Sequence, residues 1–294
     1  MKSVTAKDNK GNNSSGIFYV MYVLSMLLFG TNGYLVSHIS LQSSQIVLVR
    51  TLIGGILLSA MVLLQNDFTF SRIKPELRNL LAGGIALGLN WVALFAAYRM
   101  LNVSLATLIY YAGPMLVLLF SPWLFREALT KRKLTAIIIV AVGLLCITGS
   151  IAAGKLSMAG LVTAVGSALF YAALIVFNKR IKNTGGLQTA AIELDVAFVV
   201  VLLYVLFTSG FSYPLATDIP YLLTIGLLNT GLAYFLYFSS MQRLPAQSVA
   251  LISYIDPVSA LLFSAWLLNE NMTLLQIAGA VFIIGGAILG ELGD

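Results

Sequence analysis

The sequence predicts an all-α integral membrane protein with ten transmembrane helices, arranged as two inverted five-helix repeats. Three observations predict this fold: long apolar runs, an uneven distribution of basic residues, and a repeat at a spacing of 143 positions. Hydrophobic residues make up 59% of the 294-residue chain and charged residues only 10%. Soluble domains carry about a quarter charged residues, so the composition favours a membrane protein.

Ten apolar segments are long enough to cross a bilayer. A helix needs about 20 residues to span the hydrocarbon core, and the backbone must satisfy its own hydrogen bonds there. The short loops between the segments leave no room for a soluble domain. The predicted spans are 17–37, 45–65, 77–98, 103–125, 133–150, 158–178, 188–208, 219–240, 246–268 and 272–290.

The basic residues orient these spans. If the N-terminal tail, 1–16, is cytoplasmic, then 14 of the 17 Lys and Arg residues lie in cytoplasmic segments, whereas the outer loops hold only Arg99 and Lys155. This positive-inside pattern predicts a multi-pass protein of the plasma (cytoplasmic) membrane with both termini cytoplasmic. It also explains the net charge of +6 without a nucleic-acid partner, because the bases are spread over five segments.

An internal repeat divides the chain into two halves, predicted at 17–151 and 157–291. "LIYYAGPMLVLLFSPWLFREALT" (108–130) aligns without a gap on "LISYIDPVSALLFSAWLLNENMT" (251–273), with 12 of 23 positions identical. Because each half has an odd number of spans, the second half must enter the membrane inverted. Transporters built from inverted repeats place their substrate site near the bilayer midplane, between the repeats.

Several motifs resemble the drug/metabolite transporter superfamily in its EamA-type ten-helix branch. They are "LNWVALFAAYR" (89–99), "ATLIYYAGP" (106–114), "SPWLFREALT" (121–130), "MQRLPAQSVALISYIDPVSALL" (241–262) and "NENMT" (269–273). The resemblance implies secondary transport by alternating access, with export of small metabolites such as amino acids as the leading expectation. A drug or organic-cation carrier is the alternative. Two positions depart from the family pattern: Phe29 stands where many members have Trp, and Ala96 where related sequences often have an acid.

Asp256 is the most deeply placed charge, about ten residues into the ninth span. A charge at the bilayer centre costs roughly 2.5–3.5 kcal/mol, so it needs an explanation. One interpretation is that Asp256 faces a water-filled cavity, where it binds a cationic group or carries a proton, which would couple transport to protons or another ion. The other is that it satisfies nearby backbone donors or pairs with a base. Pro257 and its repeat mate Pro114 are predicted helix breaks, typical of transporter sites.

Amide and aromatic residues within the spans predict a midplane pocket lined by the third, fourth, eighth and ninth helices. Tyrosine and tryptophan can stack on an aromatic group or hold a cation over a ring face. Together with Asp256, the candidate substrate-binding residues are Asn90, Trp91, Tyr98, Tyr110, Tyr111, Tyr234 and Tyr254.

Three further charges within spans are candidates for gates or ion pairs. Arg50 and Glu193 are 143 positions apart, so we expect them at matching depths on opposite sides of the membrane, with Arg50 near the outer end of its helix and away from Asp256. Asp195 is two residues from Glu193 and points to a different face, so one of these two acids is expected to meet the cytoplasmic bases after the sixth span. A structural ion pair, or snorkelling of the side chain to the membrane interface, is the favoured interpretation of all three.

Other classes of protein are less favoured. A single histidine, His38, argues against a two-histidine zinc site, and no Gly-rich phosphate loop of the Walker type is present. We therefore expect no metal and no cofactor, and a membrane-embedded enzyme is the weaker alternative to a transporter. The expected partners are the lipid bilayer and a small-molecule substrate.

Overall fold

A computed structural model describes residues 8–65, 70–101, 103–148, 157–208, 210–268 and 272–291. Within these ranges the regular structure is helical throughout. Nine stretches are long and apolar enough to cross a membrane by length and composition. A further helix of 18 residues, Lys131–Thr148, begins with three bases and continues as an apolar helix. It packs along the last span, so the described chain has the predicted ten-helix architecture.

We number the ten spans α1 to α10 in chain order. They are α1 (Gly16–Ser37), α2 (Ser43–Leu64), α3 (Phe70–Met100), α4 (Ala106–Phe125), α5 (Lys131–Thr148), α6 (Met158–Arg180), α7 (Gly186–Thr208), α8 (Ala216–Met241), α9 (Ala246–Leu267) and α10 (Leu274–Glu291).

Four spans are irregular near their middle or end. The helix that enters α1 runs over Asp8–Gly30 and is followed by Asn32–Ser37, with a break at Thr31. α4 breaks at Tyr111, between Val103–Tyr110 and Ala112–Phe125. α9 breaks at 253–254, and α8 contains one π-helical stretch, Leu227–Leu232. Irregular backbone within a membrane is tolerated where it is buried in protein or lines a cavity, which points to the region around these breaks.

The main contacts between spans follow the internal repeat: when each helix is replaced by its equivalent in the other half, the same contacts are found. Each helix of the first half corresponds to the helix five positions later in the second. The α3–α6 contact therefore corresponds to the α8–α1 contact, and the α3–α7 contact to the α8–α2 contact. The α2–α7, α4–α9 and α5–α10 contacts each correspond to themselves. The two five-helix repeats thus interlock about a pseudo-two-fold relation, and the predicted fold class is confirmed.

The α5–α10 contact shows why glycine is needed where two spans cross. A Cβ atom added to Gly279 would lie 2.7 Å from the carbonyl oxygen of Gly143, and one added to Gly143 would lie 2.8 Å from the carbonyl oxygen of Gly279. The two backbones touch directly, and small residues are what allows such close approach between membrane helices.

Glu76, at the start of α3, holds the loop between α6 and α7. Its Oε1 atom accepts hydrogen bonds from the backbone N–H groups of Lys182 and Asn183, each at 3.1 Å, and from the Asn183 side chain at 2.7 Å. Only 6% of Glu76 is exposed. The carboxylate of one repeat thus anchors a loop of the other.

Asp218 makes the corresponding contact at the start of α8. It accepts hydrogen bonds from the backbone N–H of Ser40 at 3.2 Å and from the Ser40 hydroxyl at 2.6 Å. Ser40 lies in the loop between α1 and α2, and its repeat mate at a shift of 143 is Asn183. We call the Glu76–Asn183 and Asp218–Ser40 contacts the two loop anchors. They join α3 to the α6–α7 hairpin and α8 to the α1–α2 hairpin.

Candidate functional site

A cavity of about 530 Å³ lies between the two repeats. Small-molecule sites generally measure about 300–1,000 Å³, so the cavity can take a metabolite-sized ligand. Residues of α3, α4, α8 and α9 line it, as do residues of α1, α2 and α6, which the sequence did not place there. Seven helices from both repeats therefore build one site.

Trp91 of α3 and Tyr234 of α8 meet in the wall of this cavity. Their ring centroids are 5.8 Å apart and their planes are perpendicular, an edge-to-face contact that suits the quadrupoles of aromatic rings. The two residues are repeat mates, 143 positions apart. The cavity therefore contains a contact between equivalent positions of the two repeats.

Further aromatic rings extend this wall. Tyr110 of α4 stacks on Tyr171 of α6, with centroids 5.1 Å apart and an interplanar angle of 11°. Phe29 of α1 packs 4.9 Å from Tyr234, and Tyr237 lies one helical turn from Tyr234. The hydroxyl of Tyr237 is buried and has no hydrogen-bond partner within the described chain. The cavity wall is thus mostly apolar and retains an unpartnered hydrogen-bonding group.

Arg50 and Asp256 are the two formally charged residues among the described residues that line the cavity. Arg50 is 8% exposed, and its guanidinium carbon lies 5.1 Å from the centre of the Trp91 ring, within the range of a cation–π contact. The Nε atom of Arg50 is buried and has no hydrogen-bond partner in the described structure. The Nε–H group of Arg50 can therefore still donate a hydrogen bond to an anionic ligand group.

Asp256 is half-buried in the first turn of the helix Ile255–Leu267, which follows the break in α9. The positive end of the helix dipole lies there and favours a negative charge. The hydroxyl of Tyr111 donates a hydrogen bond to Oδ2 of Asp256 at 3.2 Å. The break in α9 therefore places the carboxylate where backbone and side-chain dipoles stabilise it beside the cavity.

Arg50 and Asp256 line the same cavity, which the sequence did not predict. Depth counted along single helices placed Arg50 near the outer end of α2. The cavity, however, extends from Asp256 to the end of the bundle where α1 meets α2, and its lining includes Val36 and Ser43. It is tall enough to include both levels.

Tyr254 is not among the residues that line the cavity, contrary to the expectation. It is 1% exposed, and its hydroxyl donates a hydrogen bond to the backbone carbonyl of Tyr111 at 2.8 Å. Pro114 and Pro257 are also buried outside the lining, each in the first turn of the second helical segment of its span. These three residues shape the breaks that bring Tyr111 and Asp256 to the cavity.

Asn90 and Tyr98 lie on the cavity, and both already have hydrogen-bond partners. The amide of Asn90 donates to the backbone carbonyl of Ser167 at 2.8 Å and is 2% exposed, so it joins α3 to α6. The hydroxyl of Tyr98 is 3.1 Å from the Thr107 hydroxyl and joins α3 to α4. Both side chains therefore fix the position of α3 in the cavity wall relative to its neighbouring helices.

Glu193 and Asp195 do not form the expected ion pairs within the described structure. Glu193 is fully buried outside the cavity, and the amide of Asn178 lies 2.9 Å from each of its carboxylate oxygens. Asp195 accepts a hydrogen bond from Ser59 at 2.8 Å, whereas Lys179 donates to the carbonyl groups of Met241 and Leu244. Helix rotation turns these acids towards α6 and α2, which counting along one helix does not reveal.

Tyr171 is an aromatic cavity residue that sequence reasoning missed. It lies alone in the apolar run of α6, and its repeat mate is Leu28, so neither a motif nor the repeat marks it. It is 8% exposed, and its stacking on Tyr110 places it in the wall. Its place in the cavity depends on which face of α6 packs against α4, and only the tertiary structure shows this.

The fold and this cavity define a class of protein: a helical membrane transporter built from two five-helix repeats. The chain belongs to the EamA-like transporter family, which matches residues 14–149 and 158–290. The family is one of transporters, and the protein is therefore a multi-pass membrane transporter and not an enzyme.

Individual relatives agree with this assignment. The chain is 28% identical to a protein of Bacillus subtilis (strain 168) named "Uncharacterized transporter YxxF", over 92% of this chain and 88% of the relative. It is 27% identical to a "Probable amino-acid metabolite efflux pump" of Salmonella typhimurium, over 77% of this chain and 80% of the relative. A crystal structure with 19% sequence identity superposes with a TM-score of 0.82, covering 94% of this chain and 97% of the other, which supports the fold.

Proposed function

We propose that this protein is a secondary transporter that exports small metabolites, amino acids or related compounds, across the cytoplasmic membrane by alternating access. The observation that carries the proposal is the aromatic cavity between the repeats, which contains the buried Arg50 and the half-buried Asp256. Charged residues within a membrane protein's interior mark substrate or ion pathways. The similarity to a relative named as an amino-acid metabolite efflux pump supports the substrate class and the direction.

The predicted substrate-binding residues that line the cavity have the following roles in this proposal. Trp91, Tyr98, Tyr110, Tyr111 and Tyr234 form the wall against which the substrate packs. Asn90 supports that wall through Ser167. Asp256 binds a cationic group of the substrate or exchanges a proton during the cycle, and Tyr111 orients its carboxylate.

The interlocked repeats support an alternating-access mechanism. The cavity lining includes Asn32, Val36 and Ser43, so in this conformation the cavity extends towards the end of the bundle where α1 meets α2. The predicted topology places that end outside. The loop anchors group α8 with the α1–α2 hairpin and α3 with the α6–α7 hairpin. We propose that these two groups move as units, and that exchanging their conformations opens the cavity to the other side.

An organic-cation or drug carrier is the second candidate. The tyrosine-rich wall and Asp256 favour it, because aromatic faces and a carboxylate together bind cations. Arg50 in the same cavity argues against it, since it would repel a ligand that carries only positive charge.

The test is transport by the purified full chain. Thermal-shift screening of amino acids, other metabolites and organic cations selects ligands, and flux of these is then measured in proteoliposomes with protein-free liposomes as the control. Flux of an amino acid or related metabolite is expected. If the folded protein moves no member of the panel, the proposed function is wrong.

Asp256→Asn tests the coupling role in the same assay. Asparagine preserves size and hydrogen bonding, so the variant separates charge from packing. We expect a folded protein whose flux no longer responds to pH or to a cationic group on the substrate. Wild-type flux at every pH would exclude coupling by Asp256, and unfolding would identify it as a structural partner.

A further inference from the structure

We propose that the cavity selects a zwitterion, with Arg50 binding the carboxylate of the ligand and Asp256 its ammonium group, while the aromatic wall holds an apolar body. This inference rests on the proposed transport function and concerns the same cavity. It assigns a specificity role to Arg50, which sequence analysis placed in a gate or an ion pair.

The first argument is that the two charges are separate. Arg50 belongs to α2 of the first repeat and Asp256 to α9 of the second. Within the described structure no ion pair joins them. Arg50 interacts with the Tyr234 hydroxyl, but its Nε has no hydrogen-bond partner, and the hydrogen bond that Asp256 receives in the cavity comes from Tyr111. A buried charge without a counter-ion is unfavourable, so each of these groups favours a ligand group of opposite charge.

The second argument is the chemistry of the two groups. A guanidinium donates hydrogen bonds in its own plane in a fork that matches a carboxylate, and the Arg50 guanidinium lies over the ring face of Trp91, where its cation–π contact does not use these donors. A carboxylate beside the rings of Tyr110 and Tyr111 offers an ammonium group both an ion pair and cation–π contacts. The two groups are therefore complementary to the two ends of an amino-acid-like ligand.

The third argument is charge balance. The two lining charges sum to zero, so a zwitterion leaves the occupied cavity neutral. A ligand with only an ammonium group leaves Arg50 uncompensated, and a ligand with only a carboxylate leaves Asp256 uncompensated. Either loss is unfavourable, because removing one partner of a buried charge pair leaves the other uncompensated. The mostly apolar wall then favours an aromatic or aliphatic side chain over a polar one.

Two matched ligand series test this inference on the wild-type full chain in nanodiscs. The first is L-phenylalanine, phenethylamine and 3-phenylpropionate; the second is L-leucine, 3-methylbutylamine and 4-methylpentanoate. Each set compares a zwitterion with its ammonium-only and carboxylate-only analogues. Titration calorimetry is expected to show that at least one zwitterion binds tenfold or more tightly than both of its analogues.

Two variants then assign the ends of the ligand. With Arg50→Gln, the zwitterion should lose its advantage over the amine and keep its advantage over the acid. With Asp256→Asn, the reverse is expected. Arg50→Lys, which keeps the charge, should retain part of the preference and controls for a loss of folding in Arg50→Gln.

The outcomes separate this inference from the proposed function. If one-charge analogues bind as tightly as both zwitterions, or if neither zwitterion binds, the inference is overturned, while flux of another metabolite in proteoliposomes would leave the transporter proposal standing. If no metabolite is transported by the folded protein, both proposals fail. A zwitterion preference that persists in both charge-removing variants would show that other residues select the charges, which also overturns the inference.

Discussion

The hydroxyl of Tyr254 donates a hydrogen bond to the backbone carbonyl of Tyr111, 2.8 Å away, and these two tyrosines are repeat mates. Both lie at the break of their span, where α4 and α9 meet. The hydroxyl of Tyr111 bonds instead to Asp256, beside the cavity. One duplicated tyrosine therefore stabilises the break and its mate contributes to the site, so the repeats share a framework but have different functions.

Tyr254→Phe should destabilise the protein without changing its ligand preference. The substitution leaves the buried Tyr111 carbonyl without this donor, which costs about 1–3 kcal/mol. Thermal unfolding in detergent measures the loss, and Tyr213→Phe, at a side chain that is 95% exposed, is the matched control. A change of selectivity with unchanged stability would contradict the structural role of Tyr254.

Trp91→Ala should weaken substrate binding more than ten-fold. The variant removes the cation–π contact of Arg50 and the edge contact with Tyr234, each worth about 0.5–2 kcal/mol in such settings. Calorimetric affinity for the ligand found in the transport screen provides the measurement. Trp123→Ala, at a tryptophan that is 78% exposed and outside the lining, should leave affinity unchanged. Equal effects of the two variants would argue against a ligand site at Trp91.

Asn178 and Glu193 should respond unequally to substitution. Glu193→Gln keeps an oxygen that can accept a hydrogen bond from Asn178 and replaces a fully buried ionisable group by a neutral one, so stability should be unchanged or higher. Asn178→Leu removes the donor from a fully buried carboxylate and should lower stability by about 1–3 kcal/mol. Unfolding of both variants is compared under one condition. Strong destabilisation by Glu193→Gln alone would point to a required negative charge.

The loop anchor at Glu76 should show an energetic coupling between the two repeats. Because hydrogen bonds to charged groups contribute about 1.5–3 kcal/mol, the double-mutant cycle of Glu76→Gln with Asn183→Ala should give a coupling of about 1 kcal/mol or more. The cycle of Asp218→Asn with Ser40→Ala is the matched test at the other anchor. Additive effects in both cycles would exclude the anchors as stabilising contacts.

The predicted topology places the tail inside and the α7–α8 loop outside. Starting from a Cys146→Ala background, a membrane-impermeant thiol reagent should label Ser212→Cys in intact cells and Asn12→Cys only after permeabilisation. Ser212 is exposed, which suits it for labelling. Labelling of the Asn12→Cys protein in intact cells would reverse the orientation.

The sequence by itself determined the class of fold and most of the site's helices. Span length, loop charge and the 143-residue repeat are readable along the chain because the bilayer imposes them on each segment separately. Trp91, Tyr110, Tyr111 and Asp256 were selected as polar or aromatic residues deep in spans. Polar and ionisable residues are costly inside a membrane, so their presence in a span indicates a functional role even before their neighbours are known.

Only the tertiary structure decided which faces of these helices meet. It brought Arg50 into the same cavity as Asp256, turned Glu193 towards Asn178, placed Tyr171 in the wall and kept Tyr254 out of it. The physical reason is that lipid is as apolar as the protein interior, so hydrophobicity does not distinguish a packed face from a lipid-facing one. Phe207 is 85% exposed and Tyr22 fully buried, although both lie in apolar runs of similar composition. Helix rotation and tilt depend on neighbours distant in sequence, and packing alone assembles the two charges into one cavity.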